Sequence, residues 1–444
     1  MSRHWPLAAI LVVYLLVAGL YALLTPPWQT PDEPAHYNYI RQLAEGEWPV
    51  IRPGDYDQAY QQQVLDSEFD PRFSVASFEY EDYQPPLYYL LLTPLFRAAG
   101  GDLTALRLGS VVLGAGVVVF AYAIGRRLFA GRPWPAAGAA AFVAFLPQHV
   151  AMLAAVNNDS LAELLIAAIL FLLARLLTDP RPDRPPARLH LLLGALLGLG
   201  FLTKATVYPL AAVVALALYY LGRPRAQARA GLVVFGLAAA LGALWWLRNV
   251  AVYQAPDLLG IGAHNAVVTG QPRTAEWLAR LGPAGYLAAF GRTTFQSFWG
   301  QFGWMGVPMP AWVYAALLLF SVLTLAGLAL RIGRPRTYRR PELDANPGRL
   351  PGRPALIIVL LATFLLSLLL YLGYNLTFVQ HQGRYLFPAL IPVALAVAAG
   401  WDRLLAPLAL GRPGWYAFWA GGLALGLAGL DLLALYRFIL PALS

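Results

Sequence analysis

The feature that most limits this chain is a series of eleven apolar runs, roughly 6–24, 103–125, 134–155, 159–177, 189–203, 206–222, 230–249, 310–331, 354–376, 386–400 and 413–436. A bilayer core about 30 Å thick takes about 20 apolar residues per helix. Composition agrees: 59% of the 444 residues are hydrophobic and 12% charged, against about 45–50% and 25% in soluble domains. The 40 glycines and 35 prolines suit membrane helices, where neighbouring helices re-satisfy freed backbone groups. The expectation is an all-α polytopic membrane protein of about 11 transmembrane helices (11–13), one integral membrane domain over 1–444. The run 6–24 is long, and Leu23-Leu24-Thr25-Pro26-Pro27 is a poor signal-cleavage site, so it is read as an anchor. The segment 85–99 opens on Pro85-Pro86 and carries Arg97, and is read as a juxtamembrane helix at the interface. No cysteine is present, which excludes thiol catalysis, disulfides and Cys-ligated zinc.

Arginine sets the orientation. With the N-terminus in the cytoplasm, Arg3, Arg126, Arg127, Arg132, Arg175, Arg181, Arg184, Arg188, Arg223, Arg225, Arg229, seven arginines from Arg331 to Arg353, Arg403 and Arg412 fall inside, 20 of the 32 basic residues. Short-loop arginine bias is the signal that the positive-inside rule counts. The outside loop 25–102 holds 13 of the 23 acidic residues. A second large outside loop spans 250–309. The inside loops read as linkers, and no internal repeat or separate soluble domain stands out.

Several polar residues then need an explanation. Asp32 and Glu33 sit between prolines just past the first run. A carboxylate at a membrane boundary can act as a general base, because desolvation raises its pKa; equally, the pair can charge the first turn of a helix from Pro34. Asn157, Asn158 and Asp159 precede the fourth run, where Ser160 and Glu163 have capping-box spacing; alternatively, Asp159 faces Asp32 across a cavity and orients a polar ligand. Lys204 is the single lysine. It reads as a snorkelling side chain or as a point charge for a phosphate oxygen. Arg248 and Arg384 lie on the face where cations are disfavoured, so each snorkels or binds an anion. Trp299 reads as an interfacial aromatic or as a platform for a sugar. Asp32, Glu33 and His36 could hold a divalent cation, but three ligands on one short segment specify none. Nothing in the chain has the pattern of a nucleotide-phosphate loop or a nucleic-acid tract. The orientation chosen from charge alone puts Asp32, Glu33, Asp159, Lys204, Arg248 and Arg384 at one outer face. Carboxylates and cations together suit a lipid-borne phosphate and a hydroxyl nucleophile.

The motifs Pro31-Asp32-Glu33, Gln84-Pro85-Pro86-Leu87-Tyr88-Tyr89, Asn158-Asp159, Leu202-Thr203-Lys204, Arg248-Asn249, Phe298-Trp299-Gly300 and Gln382-Gly383-Arg384-Tyr385-Leu386-Phe387-Pro388 together resemble the GT-C membrane glycosyltransferases. The likeness is to the protein O-mannosyltransferase and aminoarabinose-transferase branch and its bacterial relatives, over about residues 6–400. The resemblance implies inverting transfer from a polyprenyl-phosphate sugar at the outer leaflet, with Asp32 as base and Asp159 shaping the acceptor pocket. Two departures stand out. A His or Lys often precedes the Pro-Pro pair in the family, whereas this chain has Gln84, and no soluble carboxy-terminal domain follows.

The sequence therefore predicts a GT-C-type glycosyltransferase of the cytoplasmic membrane, its active site facing outside. It moves a sugar from a polyprenyl-phosphate donor to a hydroxyl acceptor, without nucleic acid and with no certain cofactor. Asp32, Glu33 and Asp159 are the expected catalytic residues, and Lys204, Arg384 and Arg248 the phosphate ligands. His36, Asn158, Tyr88, Trp299 and Gln382 are expected on the acceptor or sugar side. The competing readings are a transporter or flippase of a lipid-linked saccharide, for which Asp431 is the one midspan acid, and a polysaccharide polymerase or ligase.

Overall fold

The computed structural model describes residues 4–130, 132–179, 187–221, 224–254, 256–332, 352–407 and 414–443. Arg3, Arg181, Arg184, Arg223, Arg412 and residues 333–351 of the expected inside loop lie outside the described residues.

Each apolar run is helical. The first forms α1 (Trp5–Leu24), with Pro6 in its first turn where no amide partner is lost. The loop 25–102 folds into α2 (Glu33–Glu45), α3 (Gln58–Asp66) and α4 (Leu87–Ala98). The bundle continues through α5 (Leu103–Leu128), α6 (Pro133–Ala144), α7 (Pro147–Leu153), α8 (Asp159–Thr178), α9 (Ala187–Phe201), α10 (Leu210–Tyr220) and α11 (Pro224–Tyr253). The loop 250–309 holds α12 (Ile261–Val267), α13 (Thr274–Trp299) and a small hairpin of β1 (Gln301–Phe302) and β2 (Val307–Pro308), followed by α14 (Ala311–Ile332) and α15 (Gly352–Tyr374). A 3₁₀ turn, Gly383–Ala389, leads into α16 (Leu390–Leu405), and α17 (Gly414–Ala434) continues through a π-helical turn toward Leu443.

Among the described residues, eight helices are long and apolar enough to cross a membrane, or nine if a bent pair counts as one span. The expected number of about eleven therefore changes at three places. The run 134–155 is two helices, α6 and α7, bent by 62°. Pro147 is the cause, since proline disfavours helix in the residue before it and cannot donate to the preceding turn. The runs 189–203 and 206–222 form α9 and α10, each shorter than a full span. A 15-residue helix rises about 22 Å, less than the ~30 Å core.

Small residues let the helices approach closely. Ala136 to Ala144 are all buried where α6 threads the centre, and the backbones of Gly327 and Gly400 meet where α14 crosses α16. The segment 85–99 is the helix α4, as expected outside the spanning set. Its buried Tyr88, Tyr89 and Leu92 pack on Tyr39, Ile40 and Leu43 of α2, over Leu106 of α5 and Leu161 and Leu165 of α8. Ala35, Ile51, Val64, Phe78 and Tyr80 of the loop 25–102 pack with Val268 of the loop 250–309. The two loops thus form one cap at the end of the bundle where α1 ends and α8 begins. Arg126 and Arg127, Arg175, Arg331 and Arg403 close helices at the opposite end.

Candidate functional site

The chain turns sharply after α1. Asp32 adopts a left-handed conformation, φ +69°, directly before α2. Aspartate visits this region more readily than most residues, but holding it there costs energy that the surroundings must repay. The turn separates the two adjacent acids. Glu33 points inward, fully buried, and pairs with Arg107 of α5 through two bonds of 2.6 and 2.8 Å. It also accepts the backbone N–H groups of Trp28 and Val156 at 3.1 Å. The remaining Arg107 donors go to the carbonyls of Ala22, Thr25 and Pro26. All five guanidinium protons and all four carboxylate positions are engaged, which leaves Glu33 no capacity for chemistry. It clamps α1, α2, α5 and the turn before α8, a role that corrects its place among the catalytic candidates.

Asp32 points the other way. Its Oδ2 accepts from Arg384 Nη2 at 2.9 Å, and its Oδ1 accepts from Tyr80 at 3.2 Å. Arg384 sits in the 3₁₀ turn before α16. Its Nε donates to Gln382 Oε1 at 2.6 Å, so Gln382 positions the guanidinium rather than standing free. Gly383 is needed there, because a Cβ would strike the backbone of Thr294 and Phe298 on α13. Burial pushes the Asp32 carboxyl up, but Arg384, through its charge and its hydrogen bond, outweighs it with smaller help from His36 and Lys204 and holds it below the usual carboxylate range. Burial at Asp32 is legible in the sequence, whereas the contact with Arg384, 352 positions away, is made by the fold.

A second ion pair lies beside the first. Lys204 Nζ is 2.7 Å from Asp159 Oδ1. Asp159 opens α8, its N–H capped by the Asn157 side chain at 2.9 Å. The Ser160–Glu163 capping box does not form: Ser160 donates to the Asn157 carbonyl, and Glu163 pairs with His149 at 2.6 Å. Lys204 lies in the turn after α9, which the bond from Leu87 N to Leu202 O ties to α4. His36 is one helical turn from Asp32, its N–H bonded to the Asp32 carbonyl. Burial and the Lys204 charge push its imidazole down to about 3, so it is neutral.

Of the other expected residues, Asn158 joins this cluster by donating to the Tyr89 hydroxyl at 3.2 Å. Tyr88 does not; its buried hydroxyl is spent on Ser110 and the Asn157 N–H. Trp299 packs among Phe142, Phe298 and Phe320 and has no open face for a sugar. Arg248 lies between the rings of Trp245 and Tyr253 and donates to the Pro49 carbonyl, tying α11 to the loop 25–102. The trio Asp32, Glu33 and His36 does not fit a shared cation, because Glu33 is committed to Arg107. Among the described residues no cluster of three or more His, Asp or Glu is placed to hold a metal.

The site also contains Glu81, which the sequence reading passed over. Burial and the Asp32 charge push its carboxyl up to about 8, and Gln84 donates to it at 2.8 Å. Gln84, the departure before the Pro-Pro pair, therefore holds an acid. Neighbouring Asp82 is likewise pushed up to about 8 by burial, against the bond from Gln42.

A family model described as "Predicted membrane protein (DUF2142)" matches residues 67–393. No curated protein matches the sequence. Solved structures do match in fold. ArnT from Cupriavidus metallidurans bound to undecaprenyl phosphate aligns with a TM-score of 0.54 at 15% identity, over 100% of this chain and 74% of that one. The Archaeoglobus fulgidus oligosaccharyltransferase tethered to an acceptor peptide aligns with a TM-score of 0.55 at 13% identity, over 100% of this chain and 55% of that one. At these identities the likeness is one of fold, and that fold is the GT-C type.

Proposed function

Because the chain belongs to the DUF2142 family of predicted membrane proteins and carries the GT-C fold, we propose that it is a membrane glycosyltransferase using a polyprenyl-phosphate-linked sugar. The observation that carries the reading is the adjacent pairs Asp32–Arg384 and Asp159–Lys204 at one end of the bundle. Two acids and two cations match a reaction in which a hydroxyl loses a proton and a phosphate gains charge. The undecaprenyl phosphate in the ArnT structure and the peptide on the oligosaccharyltransferase support a lipid phosphate and a separate acceptor. The arginine bias puts the pairs, under the cap formed by loops 25–102 and 250–309, at the outer face of the cytoplasmic membrane.

In this scheme the acceptor hydroxyl attacks the sugar C1 from the face opposite the phosphate, and Asp32 takes its proton. The C1–O bond to phosphate breaks, and polyprenyl phosphate leaves with both electrons. Lys204 and Arg384 receive the growing charge as preorganised donors. The donor phosphate competes with Asp32 for Arg384, so its arrival loosens the pair that holds the base acidic. Asp159 keeps Lys204 in place until then.

Lys204 tests the scheme. A preorganised donor of this kind is worth about 10²–10³ in rate, so Lys204→Ala should lose that much transfer while folding normally. Lys204→Arg should recover only part, because a planar fork does not reproduce a point charge. Full turnover by Lys204→Ala would reduce Lys204 to a snorkelling side chain and remove it from the scheme.

A further inference from the structure

The hydrogen bonds around His36 point to one of its two neutral tautomers. Asn158 Nδ2 donates to the Tyr89 hydroxyl at 3.2 Å. Tyr89 Oη lies 2.8 Å from His36 Nδ1. A tyrosine hydroxyl has a single proton. With Asn158 Nδ2 as the donor to Tyr89 and Asn158 Oδ1 left unpaired, the one acceptor within reach of the buried Tyr89 proton among the described residues is His36 Nδ1, and giving it that proton makes Nδ1 the bare nitrogen. A neutral imidazole then carries its proton on Nε2. The Tyr89 ring is held in place, stacked 3.7 Å from Tyr39 and fully buried, which keeps its hydroxyl oxygen beside His36.

Nε2 has no hydrogen-bond partner among the described residues, and it is not one of the sealed, orphaned polar atoms of the interior. His36 is 2% exposed, so Nε2 keeps a narrow contact with solvent. His36 lies in the first turn of α2, and its backbone N–H bonds to the Asp32 carbonyl at 3.1 Å. It lies within the electrostatic reach of Lys204, Asp32, Asp159 and Arg384. Beside two cations, a third positive donor would be repelled, whereas a neutral N–H adds a bond without adding charge.

We propose that His36 is a neutral hydrogen-bond donor, through Nε2–H, to a phosphate oxygen of the lipid-linked substrate, its tautomer set by the relay from Asn158 through Tyr89. The ligand rests on the proposed function, whereas the tautomer does not. His36 thus shares the phosphate with Lys204 and Arg384 and contributes direction rather than charge.

Two amide substitutions separate this role from a structural one. Asparagine at 36 keeps an acceptor where Nδ1 meets Tyr89 and has nothing where Nε2 stood. Glutamine reaches the Nε2 position with an amide N–H and gives up the Tyr89 bond. Binding of undecaprenyl phosphate to the purified full chain in nanodiscs is the readout. His36→Gln should bind within about 3-fold of wild type. His36→Asn should bind about 10–100-fold more weakly, the worth of a hydrogen bond to a charged group. The reverse order would overturn the proposal.

¹⁵N-histidine spectra give an independent check, with the His36 signal identified among six histidines by its loss in His36→Gln. The expected form is Nε2-protonated, with the Nε2 signal alone moving when undecaprenyl phosphate is added. An Nδ1-protonated ring would overturn the proposal, because it leaves a base rather than a donor facing the site. A wild-type protein that does not bind undecaprenyl phosphate, yet shows the Nε2-protonated ring, would refute the ligand and the proposed function while leaving the relay intact.

Discussion

Replacing Arg107 with methionine tests whether the buried clamp under Asp32 holds the site. The Arg107 side chain is 3% exposed and that of Glu33 is sealed. Methionine roughly fills the space but removes two charge-assisted bonds to Glu33 and three bonds to the carbonyls that end α1. Glu33 is then a buried charge held by two backbone amides alone. Breaking a buried pair from one side costs about 3–5 kcal/mol, a large part of the ~5–15 kcal/mol that holds a typical domain folded. The assay is thermal unfolding in nanodiscs by tryptophan fluorescence, at one scan rate because such unfolding is irreversible. Arg107→Met should unfold several degrees below wild type. The double variant Glu33→Gln with Arg107→Met should recover part of the loss, because no charge is stranded. A wild-type midpoint for Arg107→Met, or a double variant worse than either single one, would refute the clamp.

The absence of cysteine makes a topology test direct: a cysteine placed at 340 should be labelled only after the membrane is opened, and one at 70 in intact cells. Labelling of 340 from outside would reverse the orientation. Two pH effects follow from the site. Asp32, depressed by Arg384, contributes stability above its unfolded pKa of ~3.9. That contribution is lost as pH falls through its lower folded value, so Asp32→Asn should flatten the acid limb of the unfolding midpoint. Glu81, raised to about 8, works in the opposite sense. Its contribution is complete below the unfolded pKa of ~4.3 and is lost as pH rises through about 8, so Glu81→Gln should soften the decline in midpoint from pH 5 to pH 9.

The spans were legible because a bilayer demands about 20 apolar residues, and that demand leaves its mark directly in composition. The bend at Pro147 was not, because hydropathy sums over a break that geometry does not. Asp32, Lys204 and Arg384 stood out as charges where the local pattern disfavours them. Arg107 escaped because it sits one turn into an apolar run and pairs with a residue 74 positions away. Nothing local distinguishes Asp32 from Glu33; the left-handed turn at Asp32 sends them opposite ways. Tyr88 and Tyr89, adjacent on α4, project about 100° apart, so the one facing His36 could not be read from sequence. The spacing of Ser160 and Glu163 matched a cap by chance, and a buried histidine claimed the glutamate.

Donor-dependent transfer by the purified wild-type protein and its Asp32→Asn variant tests the central claim most directly. The asparagine keeps the shape and removes the basicity. With a polyprenyl-phosphate sugar and a hydroxyl acceptor, wild type should release polyprenyl phosphate and form glycosylated acceptor in equal amounts. Asp32→Asn should bind the donor nearly as well and turn it over about 10²–10⁴-fold more slowly, the usual contribution of a general base. Transfer by Asp32→Asn at the wild-type rate, or a wild-type protein that carries the lipid-linked sugar across the membrane and leaves its C1–O bond intact, would contradict the account.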